Sequence, residues 1–271
     1  MAIITATELE QYLGATLSGN YTDGQLATAA AVASSAVERY CDRTFEATDY
    51  RKWMDGSGTD SLWLEHYPII KIMQVSCDWE YVGYLSNSSS DSNGISASMA
   101  EDGKLWLTVA GGTNAGSSSL TLSSYSTLAA LATAVAALSK GWTLTVSEES
   151  DPQAMRPFST SAVYTGSIYI SGPGAWADCV PDGDSGRLVS SCWRRGTKNV
   201  YVHYRAGYEA VPEDVQAAAC GIARDYLMTH DADGSVTSER LGDYQYQRAA
   251  ATGIADTYSR LLAPYVRRGY R

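Results

Sequence analysis

The spacing of apolar positions changes period twice along the chain, and the changes mark its organisation. Thr7-Glu8-Leu9-Glu10 has the spacing of a capping box, in which the Thr hydroxyl accepts from a free helical N–H and the Glu three residues on reaches back. It predicts a short helix to Leu13, stopped by Gly14. Thr22 or Asp23 then caps a second helix, whose apolar residues fall at Leu26, Ala29, Ala30, Ala33, Val37 and Tyr40 and whose end is the polar turn at Cys41–Thr44. Its small residues permit close approach of another helix.

From Tyr50 the period drops to two. Tyr50–Met54, the turn Asp55-Gly56-Ser57-Gly58, Ser61–Leu64 and Tyr67–Val75 predict a hairpin and a third strand. Residues 86–98 (SNSSSDSNGISAS) read as a Ser/Asn/Gly linker with almost nothing to bury. A different module follows: strands at Lys104–Val109, Ser119–Leu122 and Gly141–Val146 surround an Ala/Leu helix over Thr127–Leu138. Residues 150–196 are Gly-rich and irregular, with one strand at Ser167–Ile170. Asn199–Tyr204 is a strand. Pro212-Glu213-Asp214, a proline with acids in the first turn, opens a helix to about Met228. A last helix is predicted over Gln247–Leu262, stopped by Pro264. The fold class expected is α+β: a core of about four helices plus a small antiparallel sheet, made of residues 1–85 and 197–271. A β-rich domain carrying one helix, residues 86–196, is inserted into it.

Composition narrows the function. The chain has 271 residues, of which 45% are apolar, and 19 Tyr and 7 Trp stand against 2 Phe. Tyr and Trp pair an apolar body with a polar tip, which suits strand faces or surfaces buried against a partner. Net charge is −10, which argues against a protein that grips DNA, because phosphate binding needs clustered Lys and Arg. Residues 1–85 hold 12 acids and 5 bases, whereas residues 197–271 hold 9 of each, with three arginines in the last five residues. The five cysteines (Cys41, Cys77, Cys179, Cys192, Cys220) are scattered, with no CxxC, and fit neither a disulfide framework nor zinc. No basic start with an apolar run and no stretch of about 20 apolar residues occurs, so a cytoplasmic, non-membrane protein is expected.

Sequences that suggest chemistry are incomplete. Gly183-Asp184-Ser185-Gly186 spells a serine-protease nucleophile motif, but Arg187-Leu188 follows where Gly-Pro belongs, and neither His66 nor His203 has the setting of a base. Asp231-Ala232-Asp233-Gly234 begins like a calcium loop, yet Val236 occupies the position that needs glycine and Gly242 the position that needs an acid. Ser171-Gly172-Pro173-Gly174 lacks the ending of a phosphate loop. No catalytic residue, cofactor or metal ligand is expected.

Outside the insertion, four stretches carry a resemblance. The first is Ala33–Phe45, a helix ending in Glu38-Arg39-Tyr40-Cys41-Asp42-Arg43-Thr44-Phe45. The second is Leu62-Trp63-Leu64 with Tyr67-Pro68-Ile69-Ile70 and Val75. The third is Tyr204-Arg205-Ala206-Gly207-Tyr208 with Val211-Pro212-Glu213-Asp214-Val215, and the fourth is Ser238–Tyr246 (SERLGDYQY). In this order they resemble the adaptor family of tailed-bacteriophage head–tail connectors. The resemblance implies a structural, non-catalytic virion protein of the neck, assembled in the bacterial cytoplasm. Such an adaptor forms a homo-oligomeric ring, of twelve copies, between the portal protein and the tail-side connector or tail-completion proteins. DNA passes through the channel and no membrane is involved. It also points to the C-terminal arm for portal docking, through Tyr265, Arg267, Arg268, Tyr270 and Arg271, with Leu241, Tyr244 and Tyr246 as a secondary interface. Nothing after Pro264 has an apolar period to hold the arm on its own core, so it is expected to order only on assembly. The alternative is another phage structural protein, a tail-completion or decoration protein, whose inserted β domain is the functional module.

Overall fold

The computed structural model describes residues 3–100, 102–163, 167–191, 193–231, 238–241, 244–247 and 256–267, with backbone alone at 16, 160–163, 230–231, 238–241, 244–247 and 256–257. The chain is α+β and divides into two compact units, Met1–Thr48 with Gly207–Arg271, and Asp49–Ala206.

The first unit is helical. It holds α1 (Ala6–Leu13), α2 (Ala15–Ser18), α3 (Asp23–Cys41), α5 (Glu213–Asp231), α6 (Asp256–Leu262) and the hairpin of β14 (Ser238–Leu241) with β15 (Tyr244–Gln247). The capping box of α1 sits two residues earlier than the sequence suggests: Thr5 caps and Glu8 reaches back, with Thr7 inside the helix. The spacing S/T-x-x-E occurs twice in a row, and the earlier one leaves Leu9 and Leu13 on the buried face. Thr22 and Gln25 form the second capping box, and Asp42 ends α3 in the left-handed conformation that a short polar side chain tolerates. Pro212 precedes α5, its carbonyl accepting from the N–H groups of Val215 and Gln216. Ala29, Ala30 and Ala33 of α3 share one core with Ala218, Ala219 and Ala223 of α5, so the two helices approach closely.

The second unit is built of strands: β1 (Thr48–Gly56), β2 (Ser61–Trp63), β3 (Ile69–Ser76), β4 (Trp79–Asn87), β5 (Gly94–Met99), β6 (Lys104–Ala110), β7 (Gly116–Thr121), β8 (Trp142–Val146), β9 (Phe158–Val163), β10 (Ile168–Pro173), β11 (Val180–Asp182), β12 (Arg187–Val189) and β13 (Gly196–Ala206), with α4 (Leu128–Ala137). They form four sheets, ordered β1-β13-β3, β10-β4-β8, β11-β12-β2 and β7-β6-β5-β9. One core collects Leu62, Val75, Leu188, Trp193, Val202 and Tyr204. A second collects Leu85, Ile95, Leu107, Leu131, Trp142 and Ile170, with α4 contributing Leu128, Leu131 and Val135.

Three expectations change here. The turn at 55–58 does not close a hairpin, because β1 lies beside β13 and β2 pairs with β12. Residues 86–98 are not a bare linker: β5 is an inner strand of its sheet, burying Ile95, Ala97 and Met99 in alternation with Ser96 and Ser98. The boundaries fall at 48/49 and 206/207, not at 85/86 and 196/197. Physically, β2 and β4 find their partners inside 142–189, so the strands of 49–85 fall in the same compact unit as the insertion. Among the described residues, no helix is long and apolar enough to cross a membrane.

Candidate functional site

The C-terminal arm begins in the first unit as a 3₁₀ turn, Ala263–Tyr265. Tyr265 packs edge-on against Phe45 at 5.9 Å and against Tyr208 at 6.2 Å, while Phe45 and Tyr208 stack at 6.0 Å. The Arg43 guanidinium lies 5.7 Å from both the Phe45 and the Tyr208 ring and donates to the Tyr265 carbonyl at 3.3 Å. The Tyr265 hydroxyl donates to the Asp214 carboxylate, whose oxygens lie at 2.9 and 3.0 Å. Burial and that carboxylate push the Tyr265 phenol up to about 12. Seven residues back, Tyr258 donates to Asp225 at 2.9 Å and is likewise pushed up to about 12, while Leu262 is fully buried.

The chain passages on either side of the second unit meet in this cluster. Tyr208 N–H donates to the Phe45 carbonyl at 2.8 Å and Ala47 N–H to the Tyr208 carbonyl at 3.2 Å. Gly207 has φ +114, and a Cβ there would lie 2.4 Å from the Glu46 carbonyl oxygen, which is why this position takes glycine.

Of the residues expected to dock the portal, Tyr265 and Arg267 are therefore held by their own unit. The Arg267 N–H donates to the Cys41 carbonyl at 2.8 Å, and its guanidinium sits 3.9 Å from the exposed Asp42 carboxylate. The premise that nothing after Pro264 is tied down is corrected: an aromatic cage, not an apolar period, holds it. Arg268, Tyr270 and Arg271 lie outside the described residues. Leu241, Tyr244 and Tyr246 lie on the β14–β15 hairpin, where Leu241 pairs with Tyr244 and Glu239 with Tyr246; their side chains lie outside the described residues.

The residues set aside on sequence grounds have ordinary surroundings. The Ser185 hydroxyl donates to Asp182 at 2.6 Å in the turn between β11 and β12. His66 stacks on Tyr50 at 3.8 Å. His203 lies on β13 opposite Gln74, and burial, followed by the Arg51 charge, pushes its imidazole below its ordinary value. Burial raises the Cys41 thiol to about 11 and raises Cys220, and Cys41, Cys179 and Cys220 are free thiols. A cleft of about 430 Å³ in the second unit is lined by Arg51, Lys52, Trp53, Met99, Asp102 and Met155, and its cations face carboxylates, Arg51 with Asp151 and Lys52 with Glu65. Among the described residues, no group of three His, Cys, Asp or Glu could hold a metal.

The sequence reading missed one surface. On β4 and β10, Trp79, Tyr81, Tyr169 and Tyr84 form a contiguous strip, with ring centroids 5.3, 5.4 and 6.1 Å apart in that order. Tyr81 is 57% and Tyr169 62% exposed. The alternation Ile168-Tyr169-Ile170 was the available signal, since it puts Tyr169 opposite two buried residues. No family model matches the chain, and no curated protein matches it.

Proposed function

We propose that the chain is a structural adaptor of a tailed-bacteriophage head–tail connector, one copy in a ring between the portal protein and the tail-side proteins, with DNA passing through without being gripped. The observation that carries this reading is the cluster at the arm. Arg43 and Phe45 come from the first stretch that resembles the adaptor family, Tyr208 and Asp214 from the third, and Tyr265 from the arm. Segments more than 150 residues apart in sequence thus act as one device that fixes where the arm leaves the helical unit. Arg268, Tyr270 and Arg271 bring residue types suited to an acidic, aromatic receptor, because arginine forks onto carboxylates. Tyr265 and Arg267 set the position of the arm. The acidic balance of the chain agrees with a channel that lets phosphate slide past.

Electron microscopy of the purified protein and of portal-bearing heads tests this. A ring seated on the portal vertex is the expected image, and density anywhere else on the virion rejects the reading. Removing residues 268–271 is expected to abolish portal binding while leaving the fold intact, as checked by pull-down with purified portal.

One observation favours the second reading, a tail-completion or decoration protein whose β unit is the working part: the exposed aromatics are concentrated on that unit, at Tyr81, Tyr169 and Trp176. Labelling that unit and finding it away from the portal vertex would decide for it.

A further inference from the structure

A charged network covers one face of the β1-β13-β3 sheet. Asp49 on β1 accepts from Arg205 on β13 at 3.1 Å, and Trp53 on β1 lies 5.2 Å from Tyr201 on β13. These two contacts set Arg51 opposite His203 in the row between them, on the same face by strand alternation. On the other side of His203, β3 places Gln74 opposite it and the exposed Lys71 opposite Arg205. Asp151, from a segment that crosses this face, reaches Arg51 at 3.2 Å. The imidazole therefore has Arg51 across the strand and Arg205 two residues along it, each arginine paired with an aspartate. With His203 neutral, two guanidinium groups balance two carboxylates. Its Nε2 is shut off from solvent and has no hydrogen-bond partner among the described residues.

Residues 151–156 cross this face as a strap. Asp151 holds Arg51, the Trp53 Nε1–H donates to the Ala154 carbonyl at 2.9 Å, and the Arg156 guanidinium donates to the carbonyls of Lys198 and Thr197 at 2.8 and 2.9 Å. Asp151 also caps the 3₁₀ turn Pro152–Ala154, accepting from the Gln153 N–H at 2.9 Å. Met155 then enters the core that holds α4. The strap thus ties the β1-β13-β3 sheet to that core. Arg51 and Trp53 of β1, with Gln153 and Met155 of the strap, line the cleft of about 430 Å³, which leaves the strap room to lift.

We infer that this network is an acid-sensing latch: a proton on His203 draws Asp151 away from Arg51 and loosens the strap. A charged imidazole makes three cations against two carboxylates in the network. It also carries a proton on both nitrogens, so Nε2 needs an acceptor where none stands. The carboxylates that favour its charged form are Asp49 and Asp151. Asp49 is fixed on a strand by Arg205, whereas Asp151 sits on the strap and can move. Burial, then the Arg51 charge, hold the imidazole below its ordinary value of about 6.5 in the folded chain. The folded state thus takes the proton less readily than the unfolded one. Stability linked to His203 is present above about pH 6.5 and is lost as pH falls below it. The inference stands apart from the connector reading.

Hydrogen exchange of the full chain, read by mass spectrometry on peptides covering 147–157 and corrected for intrinsic exchange, tests this. The comparison is between about pH 7.5 and about pH 5, the latter below the ordinary imidazole value and above the ordinary carboxylate range. On acidification the wild-type strap should lose protection by about 3- to 5-fold, the worth of a part-exposed ion pair, while peptides of β6 keep theirs. His203→Gln, which cannot be charged, should keep its strap protected at both values. His203→Lys, charged throughout, should be loose at both. Should His203→Gln fail to melt cooperatively, Asp151→Asn decides. It keeps the cap without the charge, so its strap should be loose at both pH values alike. A wild-type strap equally protected at both values overturns the inference. So does a His203→Gln or Asp151→Asn strap that loosens on acidification as much as the wild type.

Discussion

The two units are held together by different means. The helical unit brings α3 and α5 together through alanines at 29, 30, 33, 218, 219 and 223, and its C-terminal turn through polar tips, Tyr258 on Asp225 and Tyr265 on Asp214. The β unit fills its interior with large residues, Trp193, Tyr204, Leu131, Leu107 and Trp142, between sheets. In a small-residue seam there is no room to add; in a large-residue core there is much to lose. Opposite substitutions should therefore hurt the two units.

The largest effect is expected from Trp193→Ala. This side chain is fully buried and donates to the Leu188 carbonyl at 3.2 Å. Its loss should cost about 3–5 kcal/mol of β-unit stability in a denaturant titration followed by tryptophan fluorescence. The reverse experiment, Ala219→Leu, should cost the helical unit about 1–3 kcal/mol by overpacking, read from helical circular dichroism. A neutral Ala219→Leu would show that the α3–α5 seam is looser than its fully buried alanines imply.

Truncation sharpens the comparison at the arm. Deleting residues 264–271 removes Tyr265, with its aromatic contacts and carboxylate bond, and should lower the stability of the helical unit by about 1–2 kcal/mol. Deleting only 268–271 should leave the melting temperature unchanged. Equal melting temperatures for both truncations would mean that the cage around Tyr265 contributes nothing.

The smallest effect is a pH dependence. Tyr258 and Tyr265 have phenols raised from about 10 to about 12 in the folded chain. The folded state therefore binds protons more tightly than the unfolded one between these values. The stability linked to them is fully present below about pH 10 and is lost as pH rises toward 12. Tyr258→Phe with Tyr265→Phe should flatten that part of the helical unit's alkaline melting profile, although Tyr201 in the β unit, raised by burial, keeps its own contribution.

The same contrast explains what could be read in the sequence. Helices α3, α4 and α5 were legible because their caps and apolar period are local, Thr22 with Gln25 and Thr127 with Ala130 among them. Strands β1, β3 and β13 were legible as strands, but their partners were not. Pairing across more than a hundred residues leaves no local mark, and β2 against β12 is the example. β5 was hidden because serine and alanine alternate almost without hydrophobic contrast. At the arm, the residue types were visible, but the carboxylate of Asp214 and the ring of Phe45 that hold Tyr265 come from stretches about 50 and 220 residues away.

The clasp at Phe45, Ala47 and Tyr208 has a consequence for the order of folding. To the helical unit, the 158 residues from Asp49 to Ala206 are a single loop, and closing a flexible loop of that length costs roughly 4–5 kcal/mol of chain entropy. The β unit brings those ends together itself, since Asp49 on β1 bonds Arg205 on β13 at 3.1 Å. Once β1 and β13 are side by side, the loop that the helices must close is a few residues long. Sheet formation in the middle of the chain should thus precede, and speed, the meeting of α3 with α5, making the inserted unit an internal template for the helices that flank it.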